Sequence, residues 1–203
     1  MTDTADSGNL GASHPQESAL EEKKLMDSAA PAEVQLATRE GFQDQQAVSD
    51  AGVLHFLVPN EWEKTAPGGS MRLLQLSVPG EAGAGELVVF YFGPNSGTIQ
   101  MNIDRWIGQF SQPDGSDSKD KAIIEEIEGD HHTTTFFDLS GTMAASNMPG
   151  MPSTEEQANY RMLAAVIKTP AGPWYITLKA PEATAAAQRE AFLTAIKSAQ
   201  FAG

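Results

Sequence analysis

The run ELVVFYFG, residues 86–93, carries an apolar side chain at every position from Leu87 to Phe92. Successive side chains of an extended strand point to opposite faces, so this run needs apolar cover both above and below it. A chain that contains it must build a sheet with material packed on two sides, and helices are the usual cover. The neighbouring segments fit a sheet. VLHFLVP, residues 53–59, places Leu54, Phe56 and Val58 on one face and stops at Pro59, and MRLLQLSVP, residues 71–79, places Leu74, Leu76 and Val78 on one face.

Helical periodicity follows. NSGTIQMNIDRWIGQF, residues 95–110, offers Asn95 or Ser96 as cap and sets Ile99, Ile103, Trp106, Ile107 and Phe110 along one stripe. The strands AIIEEIE (122–128) and TTTFFDLSG (133–141) flank a turn at Gly129 and Asp130. A stretch without period, residues 143–159, separates them from two further strands, YRMLAAVIKT (160–169) and PWYITLKA (173–180), joined by a PAG turn. The last segment, residues 182–201, is alanine-rich and amphipathic, with Phe192, Leu193, Ile196 and Ala199 facing inward. Seven strands in mostly hairpin order with two helices predict one α+β domain over residues 53–203, with a predominantly antiparallel sheet and no internal repeat.

Residues 1–52 have a different character. They hold ten acids against three bases, half of the net charge of −14, and a single aromatic, Phe42. Such a stretch buries too little apolar surface to offset its ordering entropy, and it reads as an acidic, disordered leader. Ser18 and Glu21 have capping-box spacing and would start a short helix inside it.

The negative charge repels nucleic-acid backbones and anionic lipid surfaces, so no nucleic-acid partner is expected. With no cysteine in the chain, thiolate catalysis, disulfides and thiolate-bound zinc are excluded. The N-terminal residues lack a signal-peptide pattern, and LVVFYF is too short to span a bilayer, so no membrane insertion is expected of this chain.

Phe56, Val58, Pro59 and Trp62, in the pattern F-x-V-P-x-x-W, resemble the first strand and turn of the PsbP/Mog-type superfamily, which includes DcrB-like bacterial envelope proteins. The runs MRLLQLSVPGEAGAGELVVFYFG and NIDRWIGQF resemble those of an uncharacterised bacterial group, many of them predicted lipoproteins. The resemblance covers residues 53–201 in element order. It implies an α-β-α sandwich around a central antiparallel sheet, used as a protein-binding or accessory module rather than as an enzyme, and an extracytoplasmic location. No binding residue of the superfamily matches a position here, and a lipid-modified cysteine is lacking.

The residues that carry chemistry are few. His131 and His132 are adjacent, and strand alternation turns neighbouring side chains apart, so they suit a hairpin end better than one metal. Met143, Met148 and Met151 lie in the aperiodic stretch, and thioethers with imidazole would suit Cu(I). His55, between Leu54 and Phe56, falls on the less apolar face of its strand and reads as structural.

Ser70 and Ser140 lack the nucleophile-elbow pattern, and Asp138 beside Ser140 has no histidine between them. The acids Glu125, Glu126 and Glu128 read as a solvated strand edge. GEAGAGEL joins two strands rather than a strand and a helix, so it reads as a hairpin loop and not as a phosphate cradle. Trp106 reads as core, and exposure would make it a binding anchor.

The expected function is therefore a non-catalytic binding or accessory domain for a protein or a small neutral or cationic ligand. Its recognition surface would lie near residues 143–159, because a long aperiodic loop in a compact domain tends to be functional. No cofactor is expected. The alternative is a Cu(I) or Zn(II) protein using His131, His132, Met148 and Met151.

Overall fold

A computed structural model describes residue 36, residues 39–145 and residues 155–203. In chain order the described residues form β1 (Phe42–Ser49), β2 (Gly52–Pro59), β3 (Glu63–Lys64), β4 (Leu74–Val78), β5 (Gly85–Tyr91), α1 (Ile99–Ile107), β6 (Phe110–Ser111) and α2 (Ser118–Lys121). They continue with β7 (Ile123–Glu128), β8 (Thr133–Met143), β9 (Gln157–Thr169), β10 (Gly172–Pro181), α3 (Glu182–Ala187), α4 (Arg189–Lys197) and β11 (Gln200–Ala202).

The larger sheet runs β3-β4-β5-β10-β9-β8-β6, with β7 also paired to β8, and every described pairing is antiparallel. The continuous apolar run lies inside this sheet as β5, between β4 and β10. Its odd positions Leu87 and Val89 enter one core with Leu163, Ile176 and the helical residues Phe192 and Ile196. On the opposite face of the sheet, Ile103 and Trp106 of α1 pack on Phe137, Val166 and Tyr175. Cover on both faces, by α1 on one side and by α3 and α4 on the other, is what the period of β5 demanded. The architecture is an α+β sandwich built on a predominantly antiparallel sheet.

A second sheet of three strands, ordered β1-β2-β11, packs into the first core through Ala47, Leu54, Phe56 and Val58. Here the chain departs from the boundary expected at residue 52. Phe42–Ser49 is a strand that pairs with β2 from Phe42↔Pro59 to Ser49↔Gly52. The Gln43 amide donates to the carbonyl oxygens of Pro59, Asn60 and Trp62, at 3.4, 3.3 and 3.0 Å, and fastens the strand's start. FQDQQAVS looks like leader because one of its faces is polar and the other needs little more than Ala47 to enter the core. Residues 1–35, with the helix expected from Ser18 and Glu21, lie outside the described residues.

The C-terminal helix is also divided. α3 ends and α4 begins at Gln188, whose side chain accepts from Trp62 Nε1 at 3.2 Å and donates to the Pro79 carbonyl at 3.0 Å. Residues 200 and 201, expected to end the helix, instead pair with β2 as part of β11. Phe201 reaches the ring of Trp174 at 6.0 Å between centroids.

Candidate functional site

Residues 129–132 turn the chain from β7 into β8, and the turn is docked on the C-terminal end of α4. Gly129 N–H donates to the His132 carbonyl at 2.8 Å, and Asp130 N–H donates to the Lys197 carbonyl at 2.9 Å. His132 Nε2 lies 3.1 Å from the Ile196 carbonyl, which accepts its proton. Two carbonyls near the end of the last helix thus find donors in this turn. Burial pushes the His132 pKa below its ordinary 6.5, opposed by the bond to Ile196. His131 is exposed beside it.

The nitrogen of His132 that faces the protein is already committed to a backbone carbonyl. Met143 belongs to β8 rather than to the aperiodic stretch, and it is buried in the core under α1. Met148 and Met151 lie outside the described residues. Among the described residues, no three His, Asp or Glu side chains gather in a metal-binding group.

His55 sits on β2 with Nδ1 3.2 Å from Asp44 Oδ2 across the strand pair, a structural contact. Trp106 is 4 % exposed, with its ring 5.4 Å from that of Phe137, so it supplies core and not an exposed anchor. The GEAGAGEL loop joins β4 and β5 as a hairpin. Its Gly80 lies under the Thr184 side chain, where a Cβ would overlap, and Thr184 Oγ1 donates to the Gly83 carbonyl at 2.8 Å.

Two polar constellations appear that the sequence did not single out. In the first, Asp138 of β8 is 2 % exposed and receives Arg161 Nε at 2.7 Å and Arg161 Nη2 at 2.6 Å. Arg189 of α4 adds a 3.4 Å contact to Oδ2 while its guanidinium lies 5.3 Å from the centre of the Phe136 ring. The hydrogen bonds to Asp138 raise the Arg161 pKa above its ordinary value. Ser140, one strand pair away opposite Arg161, has no histidine in this arrangement. The cluster ties β8, β9 and α4 together. The sequence signal was an acid in the middle of an otherwise uncharged buried strand, which requires a cationic partner.

In the second, Ser77, Glu86 and Lys179 form one row across β4, β5 and β10 on the α1 side of the sheet. Arg72 Nη1 donates to Glu86 Oε1 at 2.7 Å, and Gln75 Nε2 donates to Glu86 Oε2 at 2.9 Å. Lys179 Nζ instead donates to a neutral group, Gln109 Oε1, at 2.8 Å. Burial lowers the Lys179 pKa, while Glu86 opposes the shift. Gln109 follows the C-terminal end of α1, whose partial negative charge favours an ammonium there. Glu86 and Lys179 thus have partners within the chain, whereas the buried Arg72 Nε has none.

The remaining feature is the outer edge of the larger sheet. β7 pairs with β8 from Ile123↔Asp138 to Glu128↔Thr133 and, among the described residues, with no strand on its other side. Five of its six residues are exposed, and Ile127 alone tucks against the first core. Ile123 and Ile124 are each 46 % exposed although they point to opposite faces. Ordinary edge strands bury one face, so a strand with isoleucine exposed on both is unusual. IIEEIE carries the sign of this in its order, since two adjacent isoleucines cannot both point inward.

No helix among the described residues is long and apolar enough to cross a membrane. No family model and no curated protein matches the chain. Among solved structures, the chain is similar to the solution structure of cyanobacterial PsbP (CyanoP) from Synechocystis sp. PCC 6803, at 14 % identity over 84 % of this chain and 98 % of that one, with a TM-score of 0.46.

Proposed function

We propose that this chain is a non-catalytic protein-binding module, whose partner adds an extended segment to the free edge of β7. The observation that carries this reading is the exposure of Ile123 and Ile124 on opposite faces of a strand paired on one side only. A free edge offers unpaired main-chain donors and acceptors, and strand addition satisfies them while alternate side chains supply specificity. A segment laid beside β7 would also cover part of both isoleucines, worth about 1–2 kcal/mol in apolar burial. The opposite end of the larger sheet offers much less, because β3 is two residues long. An extracytoplasmic location belongs to this reading through the family resemblance, and cell fractionation of the expressed native gene tests it.

The surface differs from the one expected around residues 143–159, although both lie on β8. The edge flanks the strand's first half, and the aperiodic stretch leaves from its end at Met143. Titration of short extended peptides into ¹⁵N-labelled protein tests the reading. Peptides that bind should shift and protect the amides of residues 123–128, and methylating alternate backbone nitrogens of those peptides should abolish binding. Shifts confined to another surface would count against it.

A further inference from the structure

We infer that the segment received by β7 is cationic: an extended stretch of a partner protein with lysine or arginine at alternate positions. The inference rests on the edge-pairing reading above and adds the chemistry of the partner. β7 sets Glu125 on one face and Glu126 and Glu128 on the other. Two of the three carboxylates are held in place by the next strand. Thr135 Oγ1 donates to Glu126 Oε1 at 2.7 Å, and Thr133 Oγ1 reaches the two oxygens of Glu128 at 3.1 and 3.3 Å. The nearest base, Lys168, stands 3.9 Å from Glu126 with both side chains 55 % exposed, so water screens most of that attraction.

A strand added at this edge would bring its side chains to about 5 Å from those of β7. Opposite charges at that distance stabilise the pair and like charges destabilise it, so an acidic segment is rejected. The same rule rejects a second copy of this chain. Two β7 strands paired antiparallel about a two-fold axis at residue 125, or at residue 126, would set that glutamate directly against the same residue of the other copy. Lysine and arginine also suit the exposed isoleucines, because their aliphatic stems lie along apolar surface while the charged ends reach the carboxylates. The net charge of −14 adds long-range attraction for a basic segment.

The test compares three capped peptides, which alternate threonine with lysine, with serine or with glutamate, on the wild-type protein and on the variant Glu125→Gln/Glu126→Gln/Glu128→Gln. These positions are exposed, and circular dichroism checks that the variant stays folded. The lysine peptide is expected to bind the β7 edge about tenfold more tightly than the serine peptide, to weaken as salt is raised, and to lose this advantage in the variant.

Equal affinity of the lysine and serine peptides at β7 would overturn the cationic partner and leave the edge-pairing reading standing. An advantage that persists in the variant would also overturn it. No response of the β7 amides to any of the three would overturn both. Self-association through β7, seen by sedimentation and lost in Ile124→Lys, would assign the edge to a second copy and overturn the inference.

Discussion

Arg161 grips Asp138 with two hydrogen bonds, Nε to Oδ1 at 2.7 Å and Nη2 to Oδ2 at 2.6 Å, and the carboxylate is 2 % exposed. Removing one partner of such a pair strands the other charge in the interior. Asp138→Ala should therefore destabilise the protein by about 3–5 kcal/mol, measured by urea unfolding. The double variant Asp138→Leu/Arg161→Met should recover a large part of that loss. A single variant within about 1 kcal/mol of wild type would show that water reaches the cluster.

His132 predicts an acid limb of stability. Its folded pKa lies below the ordinary 6.5, so the unfolded chain takes up the proton first as pH falls. The contribution is fully present above about pH 6.5 and is lost as pH falls through the lower, folded value. His131, Asp130 and Lys197 adjoin the turn, so the comparison needs a variant at His132 itself. His132→Gln, whose amide retains a donor for the Ile196 carbonyl, should show a flatter melting temperature between pH 7.5 and about 5. Identical slopes for the two proteins would remove this residue from the pH response.

Lys179 is half-buried and bonded to the neutral amide of Gln109. Replacing it with methionine keeps most of the stem's packing and removes the cost of desolvating an ammonium. Lys179→Met should leave stability unchanged or raise it by up to about 2 kcal/mol. A loss of similar size, read by thermal unfolding, would mean that Glu86 holds the charge more strongly than its bonds to Arg72 and Gln75 suggest.

Ala47 tests whether β1 belongs to the domain. It is fully buried against Leu54 and Phe56 of β2 in the first core. Ala47→Asp should cost more than about 3 kcal/mol, whereas Val48→Asp, on the strand's opposite and exposed face, should change stability by less than about 0.5 kcal/mol. Equal and small effects would return this segment to the leader.

Much of the architecture was legible because periodicity reports burial directly. Leu87 to Phe92 demanded cover on two faces, and the stripe through Ile103 and Trp106 supplied one of the covers. β1 escaped notice because a strand that enters the core mainly through Ala47 leaves almost no hydrophobic pattern. The break at Gln188 was hidden for another reason. It depends on Trp62 Nε1 and the Pro79 carbonyl, partners far away in sequence, while the local residues all favour helix.

The histidines were visible and their role was not. His131 and His132 attract attention as adjacent imidazoles, yet one of them serves as a cap for the helix ending near Lys197, a contact 64 residues distant along the chain. The Asp138 cluster was obscured similarly, since nothing local links a strand acid to Arg161 or Arg189. The β7 edge was the reverse case. Its glutamates read as a solvated edge, and exposure on both faces turned two adjacent isoleucines into the more informative residues.

The placement of β7 on β8 also sets how this protein would bear mechanical load. A partner strand laid along β7 and pulled lengthwise would stress its main-chain bonds all at once, in shear, rather than opening them one after another. The load would pass through the six residue pairs that join β7 to β8 and then to the point where Asp138 is bolted to β9 and α4. Attachment at this edge would thus resist steady tension better than its contact area suggests, because rupture requires many bonds to fail together.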